Sequence, residues 1–96
     1  MELMIVIKGL IWDKWNKTHI TEHKATVEEV EDICHGKFEA VQSYRKRIQI
    51  SGMTKKGKKL IIILSPEDRK LHLYPGGVYY PITAFYEEVK KYEKTK

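Results

Sequence analysis

Two histidines four residues apart, His19 and His23, share the stretch WDKWNKTHITEH (residues 12–23) with two tryptophans, Trp12 and Trp15. Side chains four apart on a helix project from one face, so the pair has the spacing of two zinc ligands. A closed zinc site takes four; Cys34, His35 and His72 are the further donors, and no paired-cysteine motif supports them. Histidine also titrates near neutrality, which suits acid–base chemistry at His19. Packing is the third possibility. Stepping about 100° per residue from Trp12 gathers Trp15, Asn16, His19, Ile20 and His23 on one side, with Lys14, Lys17 and Thr21 opposite. The expectation is structural: the stretch anchors a first helix to a sheet, its histidines half-buried and hydrogen-bonded, with no metal and no cofactor.

The elements that must position this stretch follow from periodicity. LMIVI (residues 3–7) is a short apolar run rich in β-branched residues and predicts a buried strand. After the first helix, Thr26 and Glu29 have the spacing of a capping box, which starts a second helix; Glu28, Glu29, Glu31 and Asp32 crowd its early turns, and Gly36 stops it. From about Phe38 the period changes to two. In residues 44–50 alternation sends Tyr44, Lys46, Ile48 and Ile50 one way and Arg45, Arg47 and Gln49 the other, which predicts two arginines side by side on a sheet face. A basic turn (52–57) leads to LIIIL (60–64), apolar on both faces as in a central strand. Further strands are predicted at 71–74 and 78–83, the last with Pro81 at an edge or a late start. Phe85, Val89 and Tyr92 then recur at helical spacing, predicting a terminal helix from Phe85 to about Lys94. The expected fold class is α+β: an N-terminal strand and two helices, then a four-stranded antiparallel meander and a C-terminal helix.

Composition bounds the function classes. The 96 residues, 42% of them hydrophobic, suit one domain with a thin core. No apolar run approaches the roughly 20 residues of a membrane span, and the amino terminus lacks a basic lead with an apolar core, so a cytoplasmic protein is expected. The single cysteine, Cys34, allows no internal disulfide and reads as a core residue. Net charge is +5, unevenly spread: residues 36–60 hold eight basic side chains against one acidic, and residues 26–35 hold four acidic and no Lys or Arg. A concentrated positive field draws polyanions, nucleic acid first. A DNA-reading role is disfavoured, because the second helix is acidic and no helix-turn-helix is visible.

The ordered set Trp12-Asp13, Asn16, His19-Ile20, His23, Ala25-Thr26, Glu28-Glu29-Val30-Glu31, then Arg47, Gly52, Thr54, Gly57-Lys58, Leu60 and Tyr79-Tyr80, Ile82-Thr83-Ala84, resembles the BrnT-type toxins. These are small ribonucleases of the RelE-like superfamily from toxin-antitoxin systems. The resemblance covers most of the chain, up to Ala84. It departs in three places: where that family typically carries an arginine after the small residue of the last strand, this chain has Phe85; the tail Tyr86 to Tyr92 is shorter than the family's usual spacing; and the family's Gly-Arg of the central turn is Gly57-Lys58.

The resemblance implies a metal-independent endoribonuclease. Cleavage requires the ribose 2′-hydroxyl in line with the next phosphate, a group to take its proton, and positive charge on the developing phosphorane. Arg45, Arg47 and Lys58 are the candidates for that charge, with Glu87, Glu88 or Tyr92 for proton transfer. Lys46, Lys55, Lys56 and Lys59 would bind the RNA backbone. The implied partners are RNA, a small DNA-binding antitoxin encoded nearby, and a second copy of the chain in a homodimer. Phe85 in place of the arginine opens a different class of function, a catalytically inactive relative serving as an RNA-binding or protein-interaction module.

Overall fold

The structure, a computed structural model, describes residues 3–87. Two helices and a five-stranded mixed sheet make an α+β fold, with strand order β1-β5-β4-β3-β2. The strands are β1 (Gly9–Leu10), β2 (Glu39–Gln42), β3 (Ile48–Met53), β4 (Lys59–Ser65) and β5 (Val78–Tyr86). β2 to β5 form an antiparallel meander, while β1 joins β5 in parallel through Gly9↔Val78 and Leu10↔Tyr79.

Helix α1 is Lys14–Glu22, so Trp12 precedes it; the cap is Asp13, whose carboxylate accepts from the Asn16 N–H while the Asn16 side chain accepts from the Asp13 N–H. Helix α2 is Val27–Cys34 and begins on the expected capping box between Thr26 and Glu29. Both helices contribute to one core on one side of the sheet: Ile20 from α1 and Val30, Ile33 and Cys34 from α2 meet Ala40, Ile48, Ile50, Leu60, Ile62, Leu64 and Ala84. Each fully buried branched side chain there contributes about 1.5–3 kcal/mol. Gly52 is the point of closest approach, since a Cβ there would lie 2.6 Å from the Ile33 side chain.

Four sequence expectations change. The LMIVI run is a strap rather than a strand. Leu3 donates its N–H to the Ala40 carbonyl of β2, whereas Lys8 donates to Gly77 just before β5, so residues 3–8 cross from one flank of the sheet to the other. Leu3, Ile5 and Ile7 turn into the core, and Met4 and Val6 turn out at 97% and 74% exposure. The place beside β5 is taken by Gly9 and Leu10 instead.

Residues 44–50 do not run as one strand. Tyr44–Lys46 is a 3-10 turn, and pairing begins at Ile48. The meander's first strand is Glu39–Gln42, and residues 71–74 contribute a single bridge, Glu67↔Leu73, because Leu71 takes a positive φ of 67° that no extended strand tolerates.

The terminal helix expected from Phe85 does not start there. Phe85 and Tyr86 continue β5, paired with Ile61 and Leu60, and the Glu87 N–H extends the ladder to the Lys59 carbonyl. Glu88, Val89 and Tyr92 lie outside the described residues. Pro81 sits where β5 has no strand on its β1 side, since β1 ends opposite Tyr79. That local edge is the position at which a missing donor costs nothing.

Candidate nucleic-acid interface

The basic side chains fall into two groups at opposite ends of β3. The first is the turn Tyr44–Lys46 with Arg47. It is closed by the Ser43 N–H on the Arg47 carbonyl at 2.8 Å and the Arg47 N–H on the Tyr44 carbonyl at 3.0 Å. Closing it in so few residues puts Arg45 (φ 57°, ψ 47°) and Lys46 (φ 65°) in the left-handed region. For residues with a Cβ this costs about 1–2 kcal/mol each. Arg45 lies over the exposed Tyr44 ring at 5.6 Å. Only Arg47 keeps the sheet-face position expected of both arginines, being extended and of the same alternation as Gln49. The pairing of Arg45 with Arg47 on one face is thereby corrected.

The second group is the β3–β4 hairpin. Gly57 at φ 81° makes the turn, held by Thr54 N–H to the Lys58 carbonyl at 2.8 Å and Lys58 N–H to the Thr54 hydroxyl at 3.2 Å. Lys55 pairs with Asp32 of α2 at 3.7 Å, and Lys59 with Glu87 at 3.1 Å. The Lys58 ammonium sits 5.4 Å from the centre of the Tyr86 ring. Tyr86 donates to the Glu29 carboxylate at 2.6 Å, and that bond, with burial and the carboxylate charge, pushes the phenol up to about 12. The second basic group is therefore built against an acidic helix. Lys56 has no such carboxylate partner among the described residues, and Lys58 only a ring.

A β3 of six residues separates the two groups by about 17 Å at roughly 3.3 Å per residue. Arg45, Lys46 and Arg47 thus do not converge with Lys58 on one phosphate. From the expected RNA-binding and catalytic sets the structure pairs Lys59 with Glu87, while Lys58 turns to Tyr86 on the α2 side of the sheet and Lys55 and Lys56 stand around the turn. Tyr92 is not among the described residues.

An open groove of about 1520 Å³ runs beside the hairpin, between the strap (Leu3 to Val6) and α2. Glu28, Glu29 and Asp32 line one part of it and Lys37, Lys55, Lys56 and Lys59 another. The acidic wall repels phosphate from its depth, leaving the outward rim of the hairpin to polyanions.

The stretch 12–23 divides between anchoring and display. Asn16, fully buried, donates its amide to the carbonyls of Ile11 and Pro81, both at 3.0 Å. The Trp12 indole donates to Glu31 at 2.7 Å, and Tyr80 donates to both Asp13 oxygens at 2.9 and 3.0 Å. Burial first, and that carboxylate second, raise the Tyr80 phenol well above its ordinary range. These contacts, with Ile20, do the anchoring. Trp15, His19 and His23, expected on the packing face, instead form a column: Trp15 and His19 stack at 4.8 Å and 7°, His19 meets His23 edge-on at 5.5 Å, and His23 meets Phe85 at 6.2 Å. Arg69, from the loop before β5, adds its guanidinium 4.3 Å from the centre of the Trp15 ring. Sequence reasoning missed Arg69 altogether. The spacing of 15, 19 and 23 was the readable signal for the column, and it was assigned to packing.

Among the described residues no cluster of three or more His, Cys, Asp or Glu could hold a metal ion. Cys34 is buried, and burial, with Glu31 next, pushes its thiol up to about 12. In the loop before β5, Asp68 accepts from the His72 and Lys70 N–H groups, lies 3.2 Å from the His72 ring and accepts from the Tyr74 hydroxyl at 3.3 Å. The backbone bond from His72 leads in lowering the Asp68 carboxyl. No helix among the described residues is long and apolar enough to cross a membrane. No protein-family model, no curated protein and no solved structure matches this chain, and the resemblance to BrnT-type toxins rests on the sequence motifs alone.

Proposed function

We propose that this chain acts on RNA, as the toxin component of a toxin-antitoxin system of the BrnT kind: a cytoplasmic, metal-independent endoribonuclease restrained by a small DNA-binding antitoxin. The observation that carries the reading is the hairpin rim, where Lys55, Lys56, Lys58 and Lys59 surround the tight turn between β3 and β4. Such a rim grips a ribose-phosphate chain through counterion release, with affinity that falls steeply with salt. At the start of β4 Lys58, against Tyr86, supplies positive charge for a phosphorane, and across the strand Glu87, 3.1 Å from Lys59, supplies a carboxylate that could accept the 2′-hydroxyl proton.

A second reading has its own support. Arg45 and Arg47 stand about a strand's length from Lys58, Lys59 neutralises Glu87, and Phe85 replaces an arginine with a ring that cannot clamp phosphate. These three features favour an RNA-binding or protein-interaction module without cleavage.

One gel separates the readings: purified protein with labelled single-stranded RNA and no added metal, beside Lys58→Ala, Arg47→Ala and Phe85→Arg. Cleavage lost in Lys58→Ala supports the ribonuclease. Salt-sensitive binding without cleavage supports the module, and cutting gained by Phe85→Arg would then mark a toxin fold lacking its arginine. Absence of any RNA binding would leave protein interaction alone.

A further inference from the structure

We infer that the column Trp15–His19–His23–Phe85 is a stacking track for the bases of single-stranded RNA, running beside the basic hairpin that holds the backbone. This deepens the RNA reading above and rests on it.

The fold does not need the column. α1 is anchored by Asn16 and Ile20, both at 0% exposure, and by the Asp13 cap to Tyr80. Trp15 and Phe85 each remain 37% exposed, and His23 is exposed as well. Leaving large rings in water forgoes the stabilisation their burial would give. Here four such rings are continuous. They come from two elements, with His23 at the carboxyl end of α1 reaching Phe85 on β5.

The chemistry of the surroundings selects the ligand. Every nucleobase has a π face, and stacking on aromatic side chains is tolerant of sequence, whereas paired bases in a duplex are not available to it. Arg69 stands at the Trp15 end, where a planar guanidinium can both extend a stack and meet a phosphate. At the other end Phe85 lies on the face of the sheet opposite Ala84 and Tyr86, as its pairing partner Ile61 does, and by alternation Lys59 shares that face. A shallow cleft lined by Lys14, Trp15, Thr18, His19 and Glu22 opens along the first pair of rings. A base that takes the place of the Arg69 guanidinium on the Trp15 ring frees that guanidinium for its phosphate, and with the hairpin lysines toward the backbone both halves of a single strand are satisfied.

The test compares a short oligoadenylate with an abasic ribose-phosphate chain of equal length, which carries the charge and no bases. Trp15 emission is followed in a Trp12→Phe background, with circular dichroism to confirm folding. Oligoadenylate is expected to quench Trp15 and to bind about tenfold or more tightly than the abasic chain. Trp15→Leu and Phe85→Leu, which keep apolar bulk and remove the ring, should bring the oligoadenylate affinity, read for these variants by gel mobility shift of the labelled chain, down to the abasic level. Lys56→Ala should weaken both ligands alike. Equal affinity for the two chains in the folded wild type overturns the track while leaving the RNA reading in place. Binding of neither chain overturns both.

Discussion

The side-chain amide of Asn16 on α1 donates to the carbonyl of Pro81 on β5 at 3.0 Å, across 65 residues of sequence. The same amide serves the Ile11 carbonyl, and the side-chain oxygen accepts from Asp13. One buried residue thus satisfies a helix cap, the carbonyl of Ile11 just after β1 and the buried carbonyl of Pro81 in β5 together. Asn16→Ala should destabilise the fold by about 3 kcal/mol, because three polar groups lose their partner where water cannot replace it. Asn16→Asp should be worse at neutral pH, since a carboxylate would face two carbonyl oxygens. Denaturant titration of the three proteins checks the order.

Tyr86 sets a limit at alkaline pH. Its ordinary value is 10.0, and the bond to Glu29 holds it at about 12 in the folded protein. Its contribution to stability is complete below pH 10. Between those values the unfolded chain releases a proton that the folded chain keeps, so stability falls as pH rises. Cys34 and Tyr80 are raised in the same direction and add to the slope. The melting temperature should therefore drop from pH 10 to 12, and the drop should be shallower in Tyr86→Phe.

Lys46 separates strain from charge. Its φ of 65° suits glycine, so Lys46→Gly should raise stability by about 1 kcal/mol. If the turn contributes to RNA binding, the same variant weakens salt-dependent affinity. A more stable protein that binds less RNA would show strain retained at a working surface; a less stable one would disprove the cost assigned to the turn.

Cys34 should be inert in the folded protein. The thiol is buried and held at about 12, so little thiolate exists at neutral pH and access is closed. A thiol reagent at pH 8 should label the chain only after denaturant is added.

Much of the fold was legible because local chemistry wrote it. Thr26 and Glu29 announced α2 through a reciprocal cap, and the LIIIL run named the central strand. Pro81 pointed to an edge, which the structure places locally within β5. What failed depended on distant partners. LMIVI has the composition of a strand, yet the place beside β5 goes to Gly9 and Leu10, and no local pattern states that. Alternation through residues 44–50 could not reveal two left-handed residues, since neither Arg45 nor Lys46 is a type that favours them. Phe85 fits a helix by spacing with Val89 and Tyr92, but its pairing with Ile61 keeps it in β5. For the interface, the charge of the hairpin was readable and its placement at the far end of β3 from Arg45 was not. The column on α1 was visible as spacing and misassigned, because one helical face does not tell whether it meets protein or solvent.

The parallel pairing of β1 with β5 also dictates an order of assembly. Gly9 and Leu10 meet Val78 and Tyr79, so the first strand waits for nearly the whole chain before it has a neighbour. Asn16 and Asp13 wait in the same way for Pro81 and Tyr80. The meander β2 to β4 can form from hairpins of near sequence, whereas α1 docks only on a completed β5. During synthesis the helix that carries the ring column therefore stays undocked until β5 emerges, its anchoring partners lying 65 and 67 residues further along the chain.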